Sequence, residues 1–193
     1  GEGFPSAQRE GWMREWEAEL RHRFSRGEAR SRAGDLTTVR RTFGSLGVGN
    51  IGAEVFRLLK PFDMKFIAHD PYVDKGIASE LGIELVTIEE LFGRADVLSV
   101  SVPLSAETRH IVNAERLALM KRSAYLINTA RGPIVDQRAL HAALVGGAIA
   151  GAALDVFEVE PAPADEPLFA LENVILTPHS LCWTDECFAG NGA

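Results

Sequence analysis

Short apolar runs of strand length alternate with segments of helical periodicity over most of this chain. The apolar runs predict strands at residues 42–46, 65–69, 84–86, 97–102, 124–128, 149–156 and 174–177. Between them, apolar spacing and capping residues predict helical segments at residues 53–60, 73–81, 87–95, 113–121 and 137–145. Strands separated by helices form right-handed βαβ units. The pattern therefore predicts an α/β fold with a Rossmann-like, doubly wound parallel sheet and helices on both faces.

Polar residues mark where three of these helices begin. Thr87 followed by Glu90 is typical of a capping box, in which side chain and backbone bond each other reciprocally. Asn113 and Asp136 stand in equivalent capping positions, and Gly146 ends the last helix.

The N-terminal segment differs from the rest of the chain. Residues 8–24 predict a polar helix with Trp12, Trp16 and Leu20 on one face, and residues 25–35 have the composition of a linker. Residues 1–43 carry nine Arg against seven Asp or Glu. A basic tail that binds nucleic acid is one interpretation, but the interleaved glutamates favour a solvated helix.

Composition narrows the class of protein. The 193 residues are 46% hydrophobic and 24% charged, as in ordinary globular domains, and the net charge of −7 gives no overall nucleic-acid surface. No apolar run approaches the roughly 20 residues of a membrane span, and from the polar start we expect no signal peptide. Cys182 and Cys187 are interpreted as free thiols of a cytoplasmic protein, with no metal site.

The segment GVGNIG at residues 47–52 lies where the first strand turns into a helix. In this setting Gly47 allows a tight turn, Gly49 lets a pyrophosphate approach the backbone, and Gly52 lets helix and strand pack closely. Asp70 ends the next strand, about 20 residues further on, where a carboxylate accepts hydrogen bonds from the adenosine ribose. Its charge would repel a 2′-phosphate, so the sequence predicts NAD rather than NADP as the cofactor. The simpler alternative is that Asp70 and Pro71 only form a turn and bind no cofactor.

Three further polar residues follow strands whose carboxyl ends should meet at one crevice: Arg131, Glu160 and His179. Arg131 can hold and polarise a substrate oxygen, and His179 can exchange the hydroxyl proton while Glu160 orients its imidazole. Bound nicotinamide would supply the hydride. Each residue alone also has an ordinary structural interpretation. His22, His69, His110 and His141 lack such a constellation and are interpreted as structural or surface residues.

Six motifs in order along the chain resemble the nucleotide-binding domain of the D-isomer-specific 2-hydroxyacid dehydrogenases. They are GVGNIG at 47–52, HDPY at 69–72, VPLSAETRHIV at 102–112, LINTARGPIVD at 126–136, GAALDVFEVEP at 151–161 and TPHSLCWTDE at 177–186. The family includes D-3-phosphoglycerate, D-lactate, glyoxylate/hydroxypyruvate and formate dehydrogenases. The resemblance implies a small 2-hydroxy or 2-keto acid substrate and a homodimer formed through the nucleotide domain, with no nucleic-acid or membrane partner.

The resemblance also implies site residues. Arg131, Glu160 and His179 would be catalytic. The implied cofactor-binding residues are Gly47, Gly49, Asn50, Ile51, Gly52, Asp70, Val102, Pro103, Thr129, Ala130, Arg131, Asp155, His179 and Ser180.

Relative to the family, we expect much of the second, substrate-binding domain to lie outside these 193 residues. We expect an N-terminal segment at 1–36 that matches the family poorly, an NAD-binding domain at 37–180, and a truncated return to the substrate domain at 181–193. Three hypotheses follow: an incomplete or excised part of an NAD-dependent dehydrogenase, an NAD-binding module with little turnover, or a regulator like the family's NAD-sensing corepressors.

Overall fold

Seven parallel strands form one sheet in this computed structural model, which describes residues 41–183. The strands are β1 (Thr42–Leu46), β2 (Lys65–His69), β3 (Ile83–Leu85), β4 (Val97–Val100), β5 (Tyr125–Asn128), β6 (Gly151–Leu154) and β7 (Val174–Leu176). The helices are α1 (Asn50–Leu59), α2 (Lys75–Leu81), α3 (Ile88–Arg94), α4 (Ala114–Leu119) and α5 (Gln137–Val145). Three 3-10 turns lie at Lys60–Phe62, Gly132–Ile134 and Pro167–Ala170. The predicted α/β fold is confirmed, whereas the predicted N-terminal helix and Cys187 lie outside the described residues.

The strand order is β3-β2-β1-β4-β5-β6-β7. Successive strands are added on one side of β1 up to β3 and on its other side from β4 onward, so the strand order reverses between β1 and β4. In register, Leu46 of β1 lies opposite His69 of β2 on one side and Val100 of β4 on the other. A sheet with this order opens a crevice beyond the carboxyl ends of its strands at the point of reversal. The glycine segment follows β1 directly and therefore lies at this crevice.

Two separate hydrophobic clusters cover the sheet. One contains Phe43 of β1, Phe56 of α1 and Leu81 of α2; the other contains Leu46 of β1 and Leu117 of α4. Because Phe43 and Leu46 are three residues apart in one strand, they point to opposite faces. The helices therefore pack on both faces of the sheet, as the alternating pattern predicts.

The two buried residues of β1 that are not hydrophobic, Gly44 and Ser45, each have a structural role. A Cβ at Gly44 would lie 2.8 Å from Leu91 Cδ1 and 3.0 Å from Ala95 Cβ, so glycine lets α3 lie close to the strand. The buried Ser45 hydroxyl donates to the Gly47 carbonyl at 2.6 Å, which satisfies it without solvent.

One carboxylate connects several segments near the amino ends of the strands. Asp96, which precedes β4, accepts the Thr42 N–H at 2.8 Å and the Lys121 ammonium at 3.0 Å, and lies 3.7 Å from Arg41. Although burial of this carboxyl opposes ionisation, these donors hold the pKa of Asp96 below its ordinary value. The ionised carboxylate thus joins β1 to the segment that leads into β5.

Side-chain caps begin four of the five α-helices among residues 41–183. Asp74, Thr87, Asn113 and Asp136 each accept a backbone N–H of the first turn. The predicted capping box is confirmed, because the Glu90 N–H donates to Thr87 Oγ1 at 3.2 Å and the Thr87 N–H donates to Glu90 Oε2 at 2.9 Å. None of the described helices is long and apolar enough to cross a membrane.

Candidate active site

The three glycines of the loop after β1 have different surroundings. Gly47 has a φ of +95°, and a Cβ there would lie 2.8 Å from the Ser101 carbonyl oxygen. A Cβ at Gly52 would lie 2.7 Å from the Gly47 carbonyl oxygen. A Cβ at Gly49, in contrast, would meet nothing within 4 Å. Two glycines are therefore required by the fold itself, whereas Gly49 keeps open space in front of the backbone.

Helix α1 begins without a side-chain cap. Its N-cap residue is Gly49, and its first turn carries no acidic residue. Asn50 and Ile51 are exposed, Ile51 to 71%. The first N–H groups of this helix, with the positive end of its dipole, are thus available to an anionic ligand.

Asp70 lies beside the glycine loop at the end of β2. Its Oδ2 accepts the Val48 N–H at 2.8 Å, and its Oδ1 accepts the Tyr72 N–H at 2.9 Å. Each oxygen keeps a further acceptor position, and the residue is only half-buried, so ribose hydroxyls could reach the carboxylate. Together with the uncapped helix and the open space at Gly49, this donor and acceptor set fits a dinucleotide.

Val102 and Pro103 form the opposite side of the loop. A Cβ at Gly47 would lie 2.8 Å from Val102 Cγ1, so Val102 packs directly on the glycine turn. The Pro103 carbonyl accepts the Thr108 hydroxyl at 2.7 Å, which keeps this segment turned after β4.

Asn128 shapes the loop that carries Thr129, Ala130 and Arg131. Its Oδ1 accepts the Ala130 N–H at 3.1 Å, and its Nδ2 donates to the Arg131 carbonyl at 3.0 Å. Asn128 is 1% exposed, so both of its polar ends are used within the loop. We did not single out this residue from the sequence, although a polar residue at the end of a buried strand is the signal that could have identified it.

Arg131 projects from this loop as an exposed side chain, and its Nη1 donates to the Ala130 carbonyl at 2.6 Å. The next residue, Gly132, lies against the segment after β6. A Cβ at Gly132 would lie 1.8 Å from the Phe157 carbonyl oxygen. Glycine alone therefore permits the Arg131 loop to contact the loop that carries Glu160.

The structure brings Glu160 and His179 together. The Glu160 Oε2 lies 2.8 Å from His179 Nδ1, while its Oε1 accepts the Phe157 N–H at 2.9 Å. His179 has a φ of +54°, in the left-handed region that only a surrounding set of contacts maintains in a non-glycine residue. An ionised carboxylate only accepts hydrogen bonds, so Nδ1 carries the proton and Nε2 is left to exchange one.

Asp155 holds the turn around His179. This carboxylate is 4% exposed and accepts the Thr177 hydroxyl at 2.5 Å, the Ser180 N–H at 3.0 Å and the Leu181 N–H at 3.3 Å. The sequence predicts Asp155 and Ser180 beside the cofactor. In the structure both oxygens of Asp155 are engaged by the segment that carries His179, so the contact of this residue with the cofactor stays a prediction.

A second histidine also pairs with an acid. His110 is interpreted from the sequence as a structural or surface residue, and its exposed imidazole hydrogen-bonds Glu158 Oε1 through Nε2. The sequence does not indicate this pair, because 48 residues separate its members along the chain and only the folded loops bring them together. His69 fits its structural interpretation, with Nδ1 2.9 Å from the Val86 carbonyl oxygen.

A comparison with known proteins identifies the family to which this chain belongs. Residues 12–180 match the family model described as "D-isomer specific 2-hydroxyacid dehydrogenase, NAD binding domain". The matched range begins within the N-terminal segment, and the predicted domain boundaries stay a prediction.

Similar proteins are longer than this chain. A D-3-phosphoglycerate dehydrogenase of Methanocaldococcus jannaschii is 49% identical over 147 residues, which is 76% of this chain and 28% of the relative. A glyoxylate reductase of Korarchaeum cryptofilum is 50% identical over 140 residues, or 72% of this chain and 42% of the relative. The NAD-complexed D-isomer specific 2-hydroxyacid dehydrogenase of Lactobacillus delbrueckii ssp. bulgaricus superposes with a TM-score of 0.72 at 34% identity, covering 76% of this chain and 48% of that one. This chain thus spans less than half the length of each of these proteins.

Proposed function

Because the chain belongs to the D-isomer-specific 2-hydroxyacid dehydrogenase family and contains its NAD-binding domain, we propose that it is the cofactor-binding part of an NAD-dependent oxidoreductase. The reaction we propose interconverts a small 2-hydroxy acid and its 2-keto acid. The observation that carries this proposal is the contact of 2.8 Å between Glu160 Oε2 and His179 Nδ1, at the carboxyl edge of the sheet that also presents the glycine loop.

The cofactor is NAD, and the residues that would hold it are those of the uncapped helix end and the loops around it. Backbone N–H groups at Asn50 and Ile51 would bind the pyrophosphate, and the Asp70 carboxylate would accept the ribose hydroxyls. Thr129 and Ala130 line the same edge further along the sheet. When bound, the nicotinamide supplies or accepts the hydride.

The chain's own residues would handle the substrate oxygens and the proton. The Arg131 guanidinium offers paired N–H donors, which bind a carboxylate and polarise a keto oxygen. His179 Nε2 would donate a proton to that oxygen during reduction and remove it during oxidation. Glu160 would fix the imidazole ring and its tautomer through Nδ1, and so keep Nε2 directed at the substrate.

A second function, an NAD-binding module with little turnover, is favoured by one observation. The chain covers only 28% and 42% of the two curated relatives described above. Catalysis of this type benefits from a cleft closed against water, which fixes geometry and strengthens charge interactions. We infer that this chain binds NADH but needs substrate-domain segments to turn over at an enzymatic rate.

One experiment separates these two functions. NADH binding and NADH oxidation are measured on the 193-residue chain and on an extended protein, which carries substrate-domain segments on both sides from its own reading frame or from a relative. Glyoxylate, hydroxypyruvate and 3-phosphohydroxypyruvate are the substrates. We expect both proteins to bind NADH and only the extended protein to oxidise it rapidly. Ordinary enzymatic turnover by the chain alone would contradict the module, and no turnover by a folded extended protein would contradict the dehydrogenase.

The assembly and location that we propose follow the family resemblance and the sequence. We infer a homodimer formed through the nucleotide domain, and light scattering that shows a monomer at high micromolar concentration would contradict it. We also propose a cytoplasmic location, in line with the interpretation of Cys182 and Cys187 as free thiols, and cell fractionation checks it.

A further inference from the structure

His110 lies where three loops of the site meet. It belongs to the loop after β4, and its N–H donates to the Pro133 carbonyl at 2.9 Å, within the turn that follows Arg131. Its imidazole Nε2 hydrogen-bonds the Glu158 carboxylate, in the loop after β6. One residue therefore contacts both the loop that presents Arg131 and the loop that presents Glu160.

Glu158 is fixed from a second direction by the start of α5. Its Oε2 accepts the Gln137 N–H at 3.3 Å, and its own N–H donates to Gln137 Oε1 at 3.0 Å. The side chain of Gln137 is held in turn, because its Nε2 donates to Glu166 Oε2 at 2.6 Å. Glu158, two residues before Glu160, is thus hydrogen-bonded to His110 on one side and to the start of α5 on the other.

The two histidine–carboxylate pairs share an unusual backbone geometry. His110 has a φ of +51° and His179 a φ of +54°, and each binds a carboxylate from the segment 157–160. A left-handed conformation is unfavourable for histidine and persists only where neighbouring contacts determine it. The strain at His110 accordingly marks a residue whose position is determined by the loops it joins.

We propose that His110, acting through Glu158, is a positioning residue for the proposed reaction. It fixes the 157–160 segment so that Glu160 aligns His179, and it keeps the Arg131 loop in place beside that segment. This inference rests on the proposed function of Glu160 and His179. The contacts run from His110 to Glu158, through the backbone to Phe157, and from the Phe157 N–H to Glu160 Oε1. Gly132 joins the Arg131 loop to the same Phe157 at its carbonyl.

Stability alone does not account for this pair. The His110 and Glu158 side chains are 43% and 28% exposed, and ion pairs that solvent reaches contribute little to folding. Geometry is a different matter, because a small misplacement of a catalytic group can lower a rate by a large factor. We therefore expect the pair to act mainly on the alignment of the site.

The test replaces His110 in a way that preserves its backbone. His110→Asn keeps a residue type that tolerates left-handed φ but is too short to reproduce the imidazole contact with Glu158. Glu158→Gln is the second variant, since it keeps the size of the side chain and removes its charge. The controls are Arg94→Asn and Glu84→Gln, which remove the two partners of an exposed pair away from this site.

Two readouts separate positioning from a structural role. On the 193-residue chain, NMR follows the imidazole nitrogen chemical shifts of His179, which report its tautomer and its hydrogen bond at Nδ1, with Glu160→Gln as the reference for lost contact. On the extended protein, kcat, KM and the NADH Kd are measured per folded molecule. We expect His110→Asn and Glu158→Gln to move these nitrogen shifts in the same direction as Glu160→Gln and to lower kcat by about tenfold to a hundredfold, with the NADH Kd unchanged.

Each outcome decides one of the two proposals. If both variants match their controls while Glu160→Gln alters the His179 nitrogen shifts and kcat, the positioning role is wrong and the proposed function stands. If stability falls but kcat per folded molecule does not, the pair is structural and the inference is again wrong. If Glu160→Gln itself changes neither readout, the proposed function fails first.

Discussion

The buried carboxylate of Asp155 accepts the Ser180 N–H at 3.0 Å and so holds the backbone directly after His179. The same oxygen accepts the Thr177 hydroxyl, and the other accepts the Leu181 N–H. A turn that contains a left-handed histidine is thereby tied to the end of β6. The position of the proposed proton-transfer residue thus depends on a residue that does not touch its imidazole.

We expect Asp155→Asn to loosen this turn. An asparagine directs an amide donor at one of these N–H groups, and a buried polar group left without its partner costs about 1–3 kcal/mol. Urea denaturation should show a loss of this size, and NMR relaxation should show greater mobility at residues 177–181. Asp74→Asn is the matched control, because asparagine also caps helices. Unchanged stability and unchanged relaxation in Asp155→Asn would contradict the anchoring role.

Gly49 and Gly52 should respond oppositely to alanine. A Cβ at Gly49 meets open space, so Gly49→Ala should fold normally but obstruct the pyrophosphate. Overpacking of about 1–3 kcal/mol corresponds to a rise of roughly fivefold to 150-fold in the NADH Kd. Gly52→Ala should instead lower the melting temperature, because its Cβ would lie 2.7 Å from the Gly47 carbonyl oxygen. Calorimetry measures the melting temperature of each variant, and titration measures its NADH Kd. An unchanged NADH Kd in Gly49→Ala would count against the assigned phosphate site.

Asp70 should determine the preference for NADH over NADPH. Its carboxylate lies where the resemblance places the ribose hydroxyls, so a 2′-phosphate would meet a negative charge. Asp70→Ala should narrow the preference, mainly by weakening NADH binding. Titrations of both cofactors against the parent chain and the variant check this, and tighter NADPH than NADH binding by the parent chain would overturn it.

The Asp96 carboxylate should make stability depend on pH. Because the fold lowers its pKa, ionised Asp96 stabilises the protein above the ordinary aspartate value of 3.8, and this contribution is lost as pH falls through the lowered value. Asp96→Asn should therefore reduce the free energy of unfolding at pH 7, and the difference from the parent chain should shrink in acid. Urea denaturation between pH 3 and pH 7, with the exposed Asp165→Asn as control, tests the sign. A difference that grows in acid would be inconsistent with the carboxylate's role.

Local signals predict the fold well because they act within a few residues. β1 and β2 have the predicted bounds, although α1 begins at Asn50 rather than residue 53. Its apolar periodicity starts only after the glycine loop, and glycine gives no helical signal of its own. Gly44 shows the limit of the pattern, because only the packed α3 explains a glycine in a buried strand.

Contacts between loops that are distant along the chain could not be predicted from the sequence. Arg131, Glu160 and His179 can be named from their places after strands, and the contact between Glu160 and His179 follows that expectation. The anchoring of Ser180 by Asp155 spans 25 residues, and the pairing of His110 with Glu158 spans 48. Such contacts depend on how each loop turns after leaving its strand, which residue type and spacing do not specify.

The most direct measurement of the central claim is the effect of His179→Ala on the extended protein. With NADH and a 2-keto acid, loss of a general acid should lower kcat by about 10²–10⁴. The NADH Kd should stay close to that of the parent protein, because the phosphate and ribose contacts lie at α1 and Asp70. Arg131→Ala, measured beside it, should raise KM as well as lower kcat. If His179→Ala retains the parent kcat in a folded protein that binds NADH, the assignment of this site to 2-hydroxyacid oxidation and reduction is contradicted.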